Sequence, residues 1–159
     1  MKPVFADTFY WIALLNTDDA AHERVVVFDG ANDRPPLLTT DEILIEFLTF
    51  FSGKGTLFRV KAVAIARSLQ RNRGVLVLPQ THESYLTGLD FYAKRSDKGY
   101  SLTDCISMDI MWREGLTDVL TNDRHFEQEG FRAVFREGRT AKSTVKARIL
   151  NGLDFFRQA

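Results

Sequence analysis

The chain has 159 residues, 45% of them apolar and 26% charged, with 21 Lys and Arg balancing 21 Asp and Glu. This composition fits one globular domain with its own core and excludes bulk disorder, collagen-like repeats and a membrane span. Zero net charge excludes a strong general affinity for nucleic acid, while the lone Cys105 excludes an internal disulfide and favours a reducing, cytoplasmic setting.

Strand-like and helix-like runs alternate along the chain. Val4–Ala6 reads as a first strand ending at Asp7, followed by helices over Thr8–Asn16 and Ala20–Phe28. The apolar stretch Phe9–Leu15 is too short for a secretory signal and lacks a small-residue cleavage site, so it is expected in the core. Leu37–Thr39, after Pro35-Pro36, reads as a second strand. Asp41–Phe51 then reads as a helix that Thr40 or Asp41 can cap and that Gly53 and Gly55 end.

Phe58–Asn72 shows the clearest helical spacing, with Phe58, Ala62, Ile65, Ala66 and Leu69 on one side and Arg67 and Arg71 on another. Val75–Leu78 is an unbroken apolar run, closed by Pro79, that suits a strand buried on both faces of a parallel sheet. Helices over Thr81–Ser96 and Leu102–Glu114, a strand at Val119–Thr121 and a fifth at Arg132–Phe135 complete the pattern. Such alternation predicts a three-layer α/β/α domain with a mainly parallel sheet of about five strands. We expect a single domain over 1–159, its core at about 4–135, with a basic extension over 136–159. Within that extension Val145, Ile149, Leu153 and Phe156 fall near helical spacing.

The neutral total conceals four blocks of alternating sign. Residues 1–46 carry −6, 47–82 carry +6 with no acid among them, 83–130 carry −5 and 131–159 carry +5. Ligands of open parallel sheets gather outside the carboxyl ends of the strands, and two acids fall there. Asp7 follows the first strand, and Asp123 follows the fourth after Asn122. Asp104 lies in the first turn of a helix that Ser101 or Thr103 can cap. Glu46 sits amid Ile43, Leu44, Ile45, Phe47 and Leu48, and Glu42, one turn earlier on the same side, competes with it.

Each acid also has an ordinary reading as a turn residue, a cap or a dipole partner. If all four converge, their mutual repulsion and burial demand cations. Oxygen ligands without a Cys/His set select Mg²⁺ or Mn²⁺, and the chemistry of such sites is phosphoryl transfer or phosphodiester cleavage.

Four segments carry a family resemblance. Val4-Phe5-Ala6-Asp7-Thr8-Phe9-Tyr10-Trp11, Thr39-Thr40-Asp41-Glu42-Ile43-Leu44-Ile45-Glu46, Lys98–Ser107 around Thr103-Asp104-Cys105, and Leu120-Thr121-Asn122-Asp123-Arg124-His125-Phe126 with Gly130-Phe131 each resemble a motif of the PIN-domain ribonucleases. The chain resembles in particular the VapC-like toxins of bacterial toxin–antitoxin modules, over Val4 to Phe135, and the last two motifs are the most specific. The resemblance implies a Mg²⁺- or Mn²⁺-dependent endoribonuclease, often dimeric and inhibited by a cognate antitoxin. It makes Asp7, Glu46, Asp104 and Asp123 the catalytic and metal-binding acids, with the family spacing selecting Glu46.

Thr8, Thr103 and Thr121 could orient carboxylates or water, and Ser107, one turn beyond Asp104, could border the site. His125 could touch phosphate, but a turn role is the simpler expectation. Asp109 lies about 140° around the helix from Asp104 and should face elsewhere. Arg67, Arg71, Lys142 and Lys146 are available for RNA phosphates. Trp11, Phe47, Phe50 and Phe51 are expected in the core one by one, although several exposed together would make a groove for a dimer mate or an antitoxin helix.

Other readings fit less well. A haloacid-dehalogenase-type phosphatase needs an acid where Phe9 stands, and a dinucleotide fold needs glycines after the first strand. Gly53-Lys54-Gly55-Thr56 lacks the upstream glycine of a phosphate loop and follows a helix. The non-enzymatic alternative is a non-catalytic PIN-like RNA-binding or assembly module, against which retention of all four acids speaks.

Overall fold

The computed structural model describes residues 1–136. The extension, with Lys142, Lys146 and the expected helix through Val145 and Phe156, lies outside the described residues. Five strands form one sheet: β1 (Val4–Ala6), β2 (Leu37–Thr40), β3 (Val75–Leu78), β4 (Asp118–Leu120) and β5 (Arg132–Ala133). Their order is β3-β2-β1-β4-β5 and every pairing is parallel, so all carboxyl ends lie along one edge.

Central β1 is buried at every position, and Phe5 pairs with Leu38 on one side and Val119 on the other. The strand order switches direction at β1, with β2 on one side and β4 on the other, and ligands of open parallel sheets gather outside the carboxyl end of such a strand.

Among the described residues, seven helices cover the sheet in an α/β/α arrangement: α1 (Thr8–Leu15), α2 (His22–Asp29), α3 (Asp41–Phe51), α4 (Thr56–Leu69), α5 (His82–Lys94), α6 (Leu102–Arg113) and α7 (Arg124–Gln128). Helix α1 packs on α2 and α3, and α3 packs on α4, where the Phe51 and Phe58 rings stack 5.4 Å apart. Helices α5 and α6 pack most closely, because Gly88 leaves room for Ile106. A Cβ at Gly88 would stand 2.2 Å from Ile106 Cγ1, so any larger residue there forces the two helices apart. Tyr10, Trp11, Phe28 and Phe135 make a linked aromatic cluster at the base of α1 and α2.

One expectation fails here. β3 is not buried on both faces: it is the sheet edge, and Leu76 is 54% exposed. An apolar run reads alike in a central strand and in an edge strand with one uncovered face.

Trp11, Phe47 and Phe51 are core residues as expected, while Phe50 is exposed. It belongs to an apolar surface on α3 and α4 that also exposes Ile45, Leu57, Val60 and Val63. A second exposed set, Tyr85, Leu86, Leu89 and Tyr92, runs along α5.

Candidate active site

Buried polar groups concentrate where the central strands end. Asp7 and Thr8 follow β1, Thr39 and Thr40 end β2, and Thr121 follows β4; all are buried. Asp7 stands at the N-cap position of α1, but its side chain does not cap that helix. Instead the Thr121 hydroxyl donates to Asp7 Oδ2 at 2.8 Å. Thr121 Oγ1 also accepts from the Asp123 backbone N–H at 3.2 Å, so one hydroxyl joins the acids that follow β1 and β4.

Burial pushes the Asp7 carboxyl up from 3.8 to about 7; the Thr121 hydrogen bond opposes this, and the charges of Asp104 and Glu46 add to it. Asp7, just after β1, is therefore within electrostatic reach of an acid on α3 and one on α6. Glu46 is fixed by the Thr8 hydroxyl, which donates to its Oε2.

The acids from α6 and from the turn after β4 are held by helix ends. Ser101 Oγ accepts from the Asp104 N–H at 3.0 Å, and Asp104 Oδ2 accepts from the Ser101 N–H at 2.8 Å. This reciprocal pair satisfies two backbone donors at the start of α6. Burial raises the Asp104 carboxyl, the Ser101 backbone hydrogen bond opposes, and the Asp123 charge raises it further.

Asp123 caps α7 by accepting from the His125 N–H at 2.8 Å. The five-residue α7 has no counterpart among the elements expected from sequence, being too short to show a helical period. It brings His125 Nδ1 to 3.3 Å from Asp123 Oδ2 and 3.6 Å from Asp104 Oδ2. One ligand atom each from Asp104, Asp123 and His125 lies within 4.8 Å of the others.

Other expected neighbours divide. Thr8 and Thr121 donate to the acids, whereas none of the described hydrogen bonds joins Thr103 or Ser107 to a carboxylate. Glu42 turns away from Glu46: it is buried against α5 and accepts from Ser84 Oγ at 2.9 Å. Asp109 faces α5 as well, accepting from Thr87 at 3.1 Å and pairing with Arg113. Arg67 lines a groove between α3 and α4 together with Asp41, Ile45, Leu48 and Gln80.

A divalent cation suits this donor set. Buried Asp7 lacks a cationic partner among the influences acting on it, and the His125 Nδ1 beside two carboxylates is buried without a hydrogen bond. Oxygen-rich donors with one imidazole can hold Mg²⁺ or Mn²⁺.

No family model matches the chain. The 23S rRNA-specific endonuclease VapC20 of Mycobacterium tuberculosis is 24% identical over 128 residues, spanning 80% of this chain and 95% of the relative; the protein of strain H37Rv matches to the same degree as that of strain CDC 1551. The crystal structure of M. tuberculosis VapC20, described as a sarcin–ricin loop cleaving toxin, superposes with a TM-score of 0.72 at 26% identity, covering 82% of this chain and 98% of that one. FitAcB from Neisseria gonorrhoeae shares the fold, with a TM-score of 0.56 at 19% identity over 84% of this chain and 96% of that one. The resemblance to VapC-like PIN-domain toxins is borne out in both sequence and fold, and the parallel five-stranded α/β/α architecture is that of the PIN-like fold.

Proposed function

We propose that this chain is a metal-dependent endoribonuclease and the toxin of a toxin–antitoxin pair, cutting RNA phosphodiester bonds with Asp7, Glu46, Asp104 and Asp123. The observation that carries the reading is the buried Asp7 carboxyl, raised to about 7 with Asp104 and Glu46 adding their charge. Such a group gains stability at neutral pH chiefly from a bound cation. Similarity to the endonuclease VapC20 supports the reaction class.

Asp7, Glu46, Asp104 and Asp123 are the residues that would hold Mg²⁺ or Mn²⁺. When bound, the ion supplies an activated water and neutralises charge on the leaving oxygen. The chain's own contribution is orientation. Thr121 aims Asp7 and ties it to the Asp123 backbone, Thr8 aims Glu46, and Ser101 fixes Asp104. These hydroxyls and N–H groups hold the carboxylates in place before substrate arrives, so no reorganisation is needed at the moment of reaction.

The exposed apolar sets on α3–α4 and on α5 support protein partners, a cognate antitoxin and a second copy of the chain. Among the described residues no helix is long and apolar enough to cross a membrane, and the site of action in this reading is the cytoplasm, where RNA is met.

The test is cleavage of total RNA by the purified full chain with Mg²⁺ or Mn²⁺. Products are mapped by sequencing, and the sarcin–ricin loop of 23S rRNA is the first defined substrate. Expected is cleavage that chelator abolishes and that Asp104→Asn lowers by about 10²–10³-fold while the protein stays folded. Full activity in excess chelator overturns the metal mechanism. Binding without cleavage across substrates and metals favours the non-catalytic module instead.

A further inference from the structure

We propose that His125 binds the divalent ion directly through Nδ1, making the site a mixed imidazole–carboxylate centre that prefers Mn²⁺ to Mg²⁺. The inference rests on the metal-dependent reading above and extends its ligand set by a residue outside the four acids.

Three observations converge on it. First, His125 Nδ1 is buried and has no hydrogen-bond partner, although Asp123 Oδ2 is 3.3 Å away and Asp104 Oδ2 3.6 Å away. A buried imidazole nitrogen normally donates or accepts a hydrogen bond, and leaving one unpaired costs free energy. Asp104 Oδ2 is beyond hydrogen-bond distance and Asp123 Oδ2 forms none with it, yet one ligand atom from each of the three residues lies within 4.8 Å of the others, close enough for a single ion to satisfy all three.

Second, the separations match shared ligation. Donor atoms on adjacent corners of an octahedral ion with bonds of ~2.1 Å lie roughly 3 Å apart. The two distances from Nδ1 are a few tenths of an ångström longer, a difference that small side-chain rotations close when an ion binds.

Third, the imidazole is positioned by the same device that positions its neighbour. The His125 N–H is capped by Asp123 Oδ1, which fixes the backbone at that point. Tyr100 packs on the ring with centroids 5.2 Å apart. Gly99 lies on the Nε2 side, where a Cβ would make only ordinary contact with the ring at 3.7 Å. With Gly99 on the Nε2 side and Tyr100 tilted against the ring, Nδ1 is the ring nitrogen near Asp104 and Asp123.

A nitrogen donor changes which ion is favoured. Mg²⁺ takes oxygen donors almost exclusively, whereas imidazole suits first-row transition ions. Mn²⁺ gains from the imidazole, and both ions use the carboxylates equally.

The experiment loads the full chain with Mn²⁺ alone and records pulsed paramagnetic resonance for nitrogen coupling. Calorimetric titration with Mn²⁺ and with Mg²⁺ then follows for the wild type, His125→Ala, His125→Asn and Asp104→Asn. Expected are a directly bound nitrogen in the wild type that both His125 variants lose, a fall of tenfold or more in Mn²⁺ affinity, and a change below threefold for Mg²⁺.

The wild-type spectrum needs no variant to fold, so the proposal stays testable if His125→Ala does not. Mn²⁺ bound without nitrogen coupling, or an unchanged Mn²⁺-to-Mg²⁺ ratio in folded His125→Asn, overturns the proposal while the carboxylate site stands. If neither ion binds the wild type, or Asp104→Asn leaves both affinities intact, the metal-dependent reading falls with it.

Discussion

Asp7 and Glu46 are held by side-chain hydroxyls from distant parts of the chain, whereas Asp104 and Asp123 are held by the ends of the helices they start. The difference is one of compensation. A capping carboxylate accepts backbone N–H groups and lies at the positive end of a helix dipole, so part of its charge is met locally. Asp7 occupies a cap position without a side-chain capping bond, and the burial of its carboxyl is opposed first by the Thr121 hydroxyl and only secondarily by the Thr8 backbone N–H. The hydroxyl-held side is thus the one that most needs a cation, and the capped side is the one that folding can build without it. Thr121 belongs to both, donating to Asp7 and accepting from the Asp123 backbone.

The sharpest way to expose this contrast is the pH dependence of stability in chelator. Asp7 has a native pKa of about 7 against 3.8 for an ordinary aspartate. Between those values the folded protein keeps a proton that the unfolded chain has released, so this group's contribution falls as pH rises through the window. Above pH 7 the full penalty applies, at most about 4 kcal/mol. Asp7→Asn removes it, and the Asn carbonyl can still accept from Thr121. The metal-free variant is therefore expected to be more stable than the wild type at pH 8, and close to it at pH 4. Urea midpoints across that range check the difference, and parallel curves for the two proteins break the contrast. At pH 8 the same variant is expected to lose cleavage activity, which an RNA-cleavage assay beside the urea curves checks.

Thr121→Val tests the residue that bridges the sides. Losing the hydroxyl drives the Asp7 carboxyl further up and weakens divalent-ion binding at pH 7 by about tenfold. Because the loss comes through protonation of Asp7, raising the pH to 9 should recover part of it, and Thr121→Ser should recover most of it. Titration calorimetry at the two pH values reads both effects. A deficit of equal size at pH 7 and 9 assigns Thr121 to packing alone.

Sequence singles out Thr8 and Thr121 as hydroxyls able to orient carboxylates, but not which carboxylate each one meets. The strands and most helices were legible because their ends carry chemical punctuation: Asp7 after β1, Thr40 capping α3, Gly74 before β3 and Pro79 after it. The pairs Thr8–Glu46 and Thr121–Asp7 span 38 and 114 residues and exist only once the strand order is known. Glu42 and Glu46 share a side of α3 by spacing, yet one turn of helix is about 5.4 Å long, enough to separate their neighbours. Glu46 meets Thr8 from α1 and Glu42 meets Ser84 from α5.

β3 passed for an interior strand because apolarity alone cannot tell a covered face from an uncovered one. Helix α7 left one trace, an Asp two residues before a His. That trace is also the only sign that His125 turns toward the acids.

The smallest effect is expected on the capped side, from Ser101→Ala. Its hydroxyl accepts from the Asp104 N–H at 3.0 Å, and its removal costs about 1 kcal/mol of helix stability. For a domain of this size that corresponds to a fall of about 2–4 °C in the thermal midpoint. The Asp104 carboxylate keeps the Ser101 backbone N–H as its own donor at 2.8 Å, because that group survives the substitution. Metal affinity should therefore change by less than threefold, in contrast to the tenfold loss from Thr121→Val. Scanning calorimetry and metal titration on the two variants side by side separate the cases. If Ser101→Ala weakens metal binding as much as Thr121→Val does, the helix cap is holding the Asp104 carboxylate for the ion as well as starting α6, and the two sides do not differ in kind.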